Sequence, residues 1–170
     1  MCNSPSGDNL VLEMNVQEAM SRDIKQLAVH HRKMFEEIWE NKGQKLEGAK
    51  ANKIEKAYSE KLKKEIPAGS CKAWVVKYDN QLVASGAISI LSFVPVPNDI
   101  NHNIAYLHSM YTEKDFRGRK LSQQIIQRAI QYCKESGITR IVLNASDAGK
   151  PIYEKLGFSA SPGAMMLFVK

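Results

Sequence analysis

Asp115-Phe-Arg-Gly-Arg-Lys-Leu-Ser122 sets one glycine among three basic residues where an extended apolar run passes into an amphipathic helix. The run before it, Ile104-Ala-Tyr-Leu-His-Ser-Met-Tyr-Thr112, is rich in β-forming residues. After it, Leu121, Ile125, Ala129 and Cys133 recur every four residues, the spacing of one helix face, and Gly137 supplies a stop. A helix is therefore predicted over residues 121–136. Its N-terminus carries unpaired N–H groups and the positive end of the helix dipole, so an anion is favoured there before any side chain is counted. Arg117, Arg119 and Lys120 add full charges, and the whole stretch reads as strand, phosphate-binding turn and helix.

Working outward, the chain of 170 residues is long enough to bury a core without disulfides or metal staples. Its net charge of +6 is concentrated in a lysine-rich stretch at residues 41–67 and in the basic turn itself. Cys2, Cys71 and Cys133 lie far apart with no paired spacing, against a disulfide framework or a zinc site and in favour of a reducing cytoplasm. The first residues, Met1 to Asp8, are polar and turn-forming with no basic-then-apolar signal, and no apolar run downstream is long enough to cross a membrane. The expected organisation is a disordered lead-in at 1–9 and a single domain at 10–170.

Residues 10–16 predict a first strand. Ser21 and Asp23 open a helix whose apolar face holds Ile24, Leu27, Ala28, Met34, Phe35 and Ile38 and which ends near 41–43. A second helix is predicted over 46–66, with Ile54, Ala57, Tyr58 and Leu62 as a thin apolar stripe and Pro67-Ala68-Gly69 as its stop. Residues 73–78 and 81–91, joined by Asp79-Asn80, read as a tight hairpin. Two prolines and several Asn and Asp residues make 94–103 a loop. Beyond the helix at 121–136 come a strand at 139–143, a short helix at 151–156 ended by Gly157, and a final strand at 164–169, with a further short strand possible at 158–160. This order predicts a mixed α/β sheet with helices on its faces.

Two signatures now stand in order. Met110-Tyr-Thr-Glu-Lys-Asp-Phe-Arg-Gly-Arg-Lys-Leu-Ser122 resembles the strand, pyrophosphate loop and helix of the GNAT superfamily of acetyl-CoA-dependent N-acetyltransferases. Leu143-Asn-Ala-Ser-Asp-Ala-Gly-Lys-Pro-Ile-Tyr-Glu-Lys-Leu-Gly-Phe158 resembles that family's second signature, ending in Tyr-x-x-x-Gly-Phe. The resemblance runs from residue 104 to the end of the chain, and the earlier element order agrees with it. It implies a central, mostly antiparallel sheet with helices on both faces and an acetyl-CoA site formed by Met110, Tyr111, Thr112, Arg117, Gly118, Arg119, Lys120, Leu121, Ser122, Asn144 and Ser146. In one respect the chain departs: the family's loop usually reads Arg/Gln-x-x-Gly-x-Gly/Ala, and Lys120 and Ser122 occupy the positions of small residues.

The resemblance further implies that Tyr153 is the general acid that protonates the departing thiolate of coenzyme A, a role open to a phenol. Taken alone, Tyr153 also reads as a partly buried aromatic beside Ile152 and Leu156. A backbone N–H near Met110 or Tyr111 is implied as the donor to the thioester carbonyl. His108 is the titratable group of the strand nearest neutrality, sharing strand parity with Tyr106 and Met110, and reads either as general base or acceptor contact or as an ordinary core histidine. Asn144 and Ser146 sit where the sheet is expected to part, although Ser146 or Asp147 equally serves as a helix cap. Lys150 and Lys155 reach a 3′-phosphate or face solvent. Phe35, Trp39, Tyr58 and Phe93 belong to segments that form the acceptor side in the family and otherwise read as core. No metal is implied.

The implied partners are acetyl-CoA and a primary amine, with a small molecule preferred as acceptor and a homodimer admitted. Two other readings remain: an acyl-CoA-binding sensor without turnover, and a nucleic-acid-binding module suggested by the basic charge. Glutamates interleaved through the lysine-rich helix and the lack of an aromatic platform argue against nucleic acid, as the absence of an apolar span argues against membrane.

Overall fold

A computed structural model of the protein describes residues 14–161 and 165–169. Its centre is the expected hairpin, β2 (Cys71–Tyr78) and β3 (Gln81–Ser92), paired antiparallel around Asp79 and Asn80. Both turn residues have positive φ, 48° and 60°, which a two-residue turn needs if its twist is to match that of the strands. β1 (Val16–Glu18) and β4 (Asn103–Thr112) add on either side of this pair, also antiparallel, and β5 (Ile141–Leu143) runs parallel to β4 at the far edge. A parallel neighbour requires a crossover. Here α3 (Leu121–Glu135) supplies it.

Alternation along β2 divides the core. Cys71, Ala73 and Val75 face α1 (Ile24–Glu40) and α2 (Gly48–Ala68), packing with Ile24, Leu27, Ala28, Tyr58 and Leu62. Trp74 and Val76 face α3 and meet Leu121, Ile125, Ile126, Ala129 and Cys133, the four-residue repeat read from the sequence together with its neighbour Ile126. The short α4 (Lys150–Lys155) lies on this second side, where Tyr153, Leu156 and Phe158 pack against the same cluster. Helices thus cover both faces of a mostly antiparallel mixed sheet. Burial pushes the thiols of Cys71 and Cys133 up to about 11, so both are inert packing groups. Among the described residues no helix is long and apolar enough to cross a membrane.

The structure differs from expectation at four places. The first strand lies later than 10–16: residues 10–13 fall outside the described residues, Met14 and Asn15 are not in a strand, and the register is set by Val16↔Val76 and Glu18↔Trp74. α2 runs through Pro67 and ends at Gly69, whose φ of 75° puts it in the left-handed region. Pro67 cannot donate to the Lys63 carbonyl and crowds it, yet the helix continues one residue past it, and the stop comes from Gly69 and Ser70, whose N–H groups bond the Ile66 and Glu65 carbonyls at 3.1 Å. α1 begins one 3₁₀ turn later than expected, with Met20 N donating to Asp23 Oδ2 at 2.9 Å. Finally, Met165–Val169 forms no strand and neither does 158–160; the expected residue 164 lies outside the described residues. A strand needs pairing as well as β-propensity, and the edge strand β5, only three residues long, pairs with β4 alone, with Met165–Val169 not added to it. Met165 and Phe168 are left 98% and 83% exposed.

Candidate active site

The site grows from an irregularity in β4. Ala87 pairs with His108 and Ser85 with Tyr111, so Gly86 of β3 stands opposite two residues, Ser109 and Met110. This is a β-bulge, and Ser109 takes the strain of it at φ 56°. One extra residue reverses the faces beyond it. His108 and Ser109 both point to the α1/α2 side, where His108 Nε2 meets Ser89 Oγ at 2.9 Å and Ser109 Oγ meets His31 Nδ1 at 2.8 Å. Met110 goes to the α3 side and lies over Gly86, where a Cβ would sit 2.2 Å from Met110 Sδ and 2.9 Å from Ile125 Cγ2. Of the expected shared face, Tyr106 remains beside His108, with ring centroids 5.9 Å apart, while Met110 is on the opposite side. Strict alternation fails there because the bulge adds a residue.

Next to the bulge the sheet parts. β5 pairs with β4 only from Ala105↔Ile141 to Leu107↔Leu143, after which β4 runs on to Thr112 without it. The departing chain holds Asn144, whose Nδ2 donates to Tyr106 Oη at 3.0 Å, and Ser146, whose Oγ accepts from Gly149 N at 3.2 Å as a cap leading into α4. Tyr153 on α4 is half-buried, its ring edge-on to Phe158 at 5.7 Å and over Gly149, and burial pushes its phenol above the ordinary value. Lys150 stays exposed beside Glu154. The parted end is the carboxyl end of two parallel strands, the location at which open α/β sheets receive ligands.

At the foot of β4 lies the basic turn. Gly118 has φ 78°, and Lys120, the N-cap of α3, has φ 60° and ψ 19°. Lys120 therefore adopts the left-handed conformation that the family's usual glycine takes without strain. Ser122 also has a local reason: its Oγ bonds Thr112 Oγ1 at 2.9 Å, tying the first turn of α3 to the end of β4. Leu121 is buried beneath. Arg119 stacks on Phe116 with 5.1 Å to the ring centroid, and among the described residues neither Arg119 nor Lys120 forms an ion pair. Arg117 is engaged differently. Its Nε donates to the Thr112 carbonyl at 2.9 Å, and its Nη2 lies 2.8 Å from both carboxylate oxygens of Glu37 on α1. A helix N-terminus with two unpaired cations and a glycine turn fits a pyrophosphate.

Behind the bulge, between the sheet and α1/α2, is a buried polar layer that the sequence reading did not assemble. His30 Nδ1 meets Ser85 Oγ at 2.8 Å, and its Nε2 lies 3.3 Å from Glu113 Oε1, off the line of a good hydrogen bond. His31 stacks on Tyr58 at 3.9 Å, and Tyr58 Oη is 3.3 Å from His108 Nδ1, which also meets Ser109 Oγ at 2.9 Å. Burial pushes His30 and His31 down to about 4 and His108 to about 3, so all three rings are neutral near pH 7. A signal was present: three-residue steps from Leu27 and Ala28 land on His30 and His31, and Ser85 and Ser89, four residues apart, share one face of β3.

The strands part beside a basic helix N-terminus, a shape that suits a long ligand with phosphates at one end. The chain belongs to the acetyltransferase (GNAT) family, whose domain model matches residues 40–166. It is similar to a solved structure from Clostridium acetobutylicum, described as a "predicted acetyltransferase with acetyl-CoA", at 25% identity and TM-score 0.80 over 91% of this chain and 96% of that one. A GCN5-related N-acetyltransferase from Ralstonia eutropha JMP134 shares the fold with TM-score 0.81 at 20% identity, over 91% of this chain and 98% of that one. Among characterised proteins, the glucosamine 6-phosphate N-acetyltransferase of Arabidopsis thaliana is 26% identical over 78 residues, 44% of this chain. That match spans 52% of the plant enzyme, about half its length. The GNAT family uses acetyl-CoA.

Proposed function

We propose that the protein moves the acetyl group of acetyl-CoA to a primary amine of a small-molecule acceptor, with Tyr153 as general acid. The parting of β4 from β5, with the bulge on one strand and α4 following the other, is the observation that carries this reading. Arg119, Lys120 and the N–H groups at the start of α3 hold the cofactor's pyrophosphate. Met110, Tyr111 and Thr112, with Asn144 and Ser146 across the gap, line its arm. A backbone donor at the bulge polarises the thioester carbonyl, a type of contact that contributes about 3 kcal/mol to lowering a barrier. The amine attacks the carbonyl carbon, the carbon–sulfur bond breaks, and Tyr153 gives its proton to the departing sulfur. A phenol held above its ordinary pKa stays protonated for that task. His108 serves as a neutral contact on the acceptor side: at a pKa of about 3, with its nitrogens against Ser89, Ser109 and Tyr58, it is too weak a base, and removal of the amine proton falls to water.

The relative from Arabidopsis thaliana makes a phosphorylated amino sugar the first acceptor to try. The test is thiol release from acetyl-CoA over a panel of amino sugars, amino acids, polyamines, aminoglycosides and peptides. Tyr153→Phe is expected to lower kcat by about 100-fold or more with acetyl-CoA affinity unchanged, the range typical of a lost general acid. Equal turnover in the variant removes Tyr153 from the mechanism. Acetyl-CoA binding without thiol release across the panel would instead mark a sensor, a reading favoured by the departures of Lys120 and Ser122 from the usual loop.

A further inference from the structure

We propose that Glu37 is a positioning residue for acetyl-CoA binding: from α1 it holds Arg117 against the end of β4 and so fixes the shape of the phosphate turn. The proposal rests on the functional reading above and gives Arg117 its part in it: Arg117 is a brace, which leaves the cationic contact to Arg119 and Lys120.

The argument begins with the hydrogen bonds of Arg117. Nη2 reaches both oxygens of Glu37 at 2.8 Å and Nε reaches the Thr112 carbonyl at 2.9 Å. The guanidinium carbon lies 5.7 Å from the centroid of the Tyr111 ring, and Tyr111 Oη donates to Glu37 Oε1 at 3.2 Å. Arg117 is thus fastened to helix, strand end and ring at once, with its charge matched by a carboxylate. A planar guanidinium keeps this geometry where a lysine would not.

One helical turn earlier, Lys33 Nζ donates to Glu113 Oε1 at 2.6 Å. Lys33 and Glu37 are four residues apart, hence neighbours on one helix face. They grip Glu113, where the turn begins, and Arg117 in its middle, so two ion pairs of opposite polarity bind the turn to α1. The pair of Glu37 and Arg117 is too exposed to matter much to the fold, with side chains 24% and 45% exposed. Its effect falls on local order. Backbone N–H groups bind phosphate only in one arrangement of residues 117–122, and a turn held in that arrangement beforehand loses less entropy on binding.

Two opposite outcomes separate a brace from a competitor. If Glu37 merely neutralises Arg117, Glu37→Gln frees a cation and tightens acetyl-CoA. If it braces the turn, Glu37→Gln weakens acetyl-CoA by about five- to tenfold, the scale of one lost charge-assisted bond, with kcat within about twofold of the parent. Arg117→Gln should match it, and the double variant should be no worse than either single one. Amide hydrogen exchange of the free protein reads the brace without any cofactor: exchange across 113–122 should speed up in Glu37→Gln while the unfolding temperature stays put. Unchanged exchange, unchanged or tighter affinity, additive single effects, or a fall in kcat alone overturns the proposal. A parent protein whose turn is protected but which shows no affinity for acetyl-CoA overturns the functional reading instead.

Discussion

Lys120 holds a backbone conformation that side chains with a Cβ avoid, at a cost of about 1 kcal/mol. Its identity and its conformation therefore pull apart, and two substitutions distinguish them. Lys120→Gly is expected to raise unfolding free energy by about 1 kcal/mol by relieving the strain, while weakening acetyl-CoA through loss of the ammonium group. Lys120→Ala keeps the strain and loses the charge, so it should weaken binding with no gain in stability. Urea unfolding alongside acetyl-CoA titration measures both; a stability gain in the alanine variant, or none in the glycine variant, contradicts the strain assignment. That position 120 was unusual was legible in the sequence, since the basic turn stood against a familiar pattern. That Arg117 is fastened to Glu37 was not, because the partners lie 80 residues apart and no local spacing links them.

Among elements, β4 shows where reading by period stops. Its extent, its place before the turn and its β-forming composition were all visible, and residues 104–112 fall within the observed strand. Its bulge was not, since the residue bearing the positive φ is Ser109 and not a glycine. The mark lay on the neighbouring strand: an isolated glycine inside a strand signals a bulge or a close approach, and Gly86 is both. Gly86→Ala should therefore displace Met110 and destabilise the protein by about 1–3 kcal/mol. Because Met110 Sδ is the nearest atom, adding Met110→Ala should recover part of that loss, measured as the shift in urea midpoint. A neutral Gly86→Ala would mean that the side chain over it is free to move. The strand expected at 164–169 is not formed over Met165–Val169 for a related reason, because composition reports how well a residue suits a sheet and not whether it pairs with a neighbouring strand.

For the whole molecule, the sheet separates two unlike cores. The α3 side is built from the apolar repeats that sequence reading finds readily. The α1/α2 side mixes apolar packing with a layer of histidine and hydroxyl groups, legible only once strand and helix are brought together. That layer gives the molecule an acid sensitivity. His30, His31 and His108 have native pKa values of about 4, 4 and 3, against 6.5 when exposed. The unfolded chain therefore binds protons below pH 6.5 that the native state refuses, so the full contribution is present above 6.5 and is lost as pH falls. Between pH 6.5 and 5, before most carboxylates titrate, each such histidine should cost up to about 1.4 kcal/mol per pH unit. The urea midpoint should drop steadily over that window, and His108→Gln should flatten the slope by about a third, in proportion to one of three groups. A midpoint level from pH 7 to 5 would refute the burial of these rings in neutral form.

The hydroxyl of Ser109 imposes a further order on this layer. It stands between His31 Nδ1 and His108 Nδ1, at 2.8 and 2.9 Å, with a single proton to give. Both imidazoles cannot accept its proton, so either one ring carries its own hydrogen on Nδ1 and donates, or Tyr58 Oη, 3.3 Å from His108 Nδ1, donates to His108 in its place. The tautomers of the rings on α1 and β4 are thereby linked through the hydroxyls of Ser109 and Tyr58. When both rings present a bare Nδ1, the Ser109 proton goes to His31 and the phenol proton to His108.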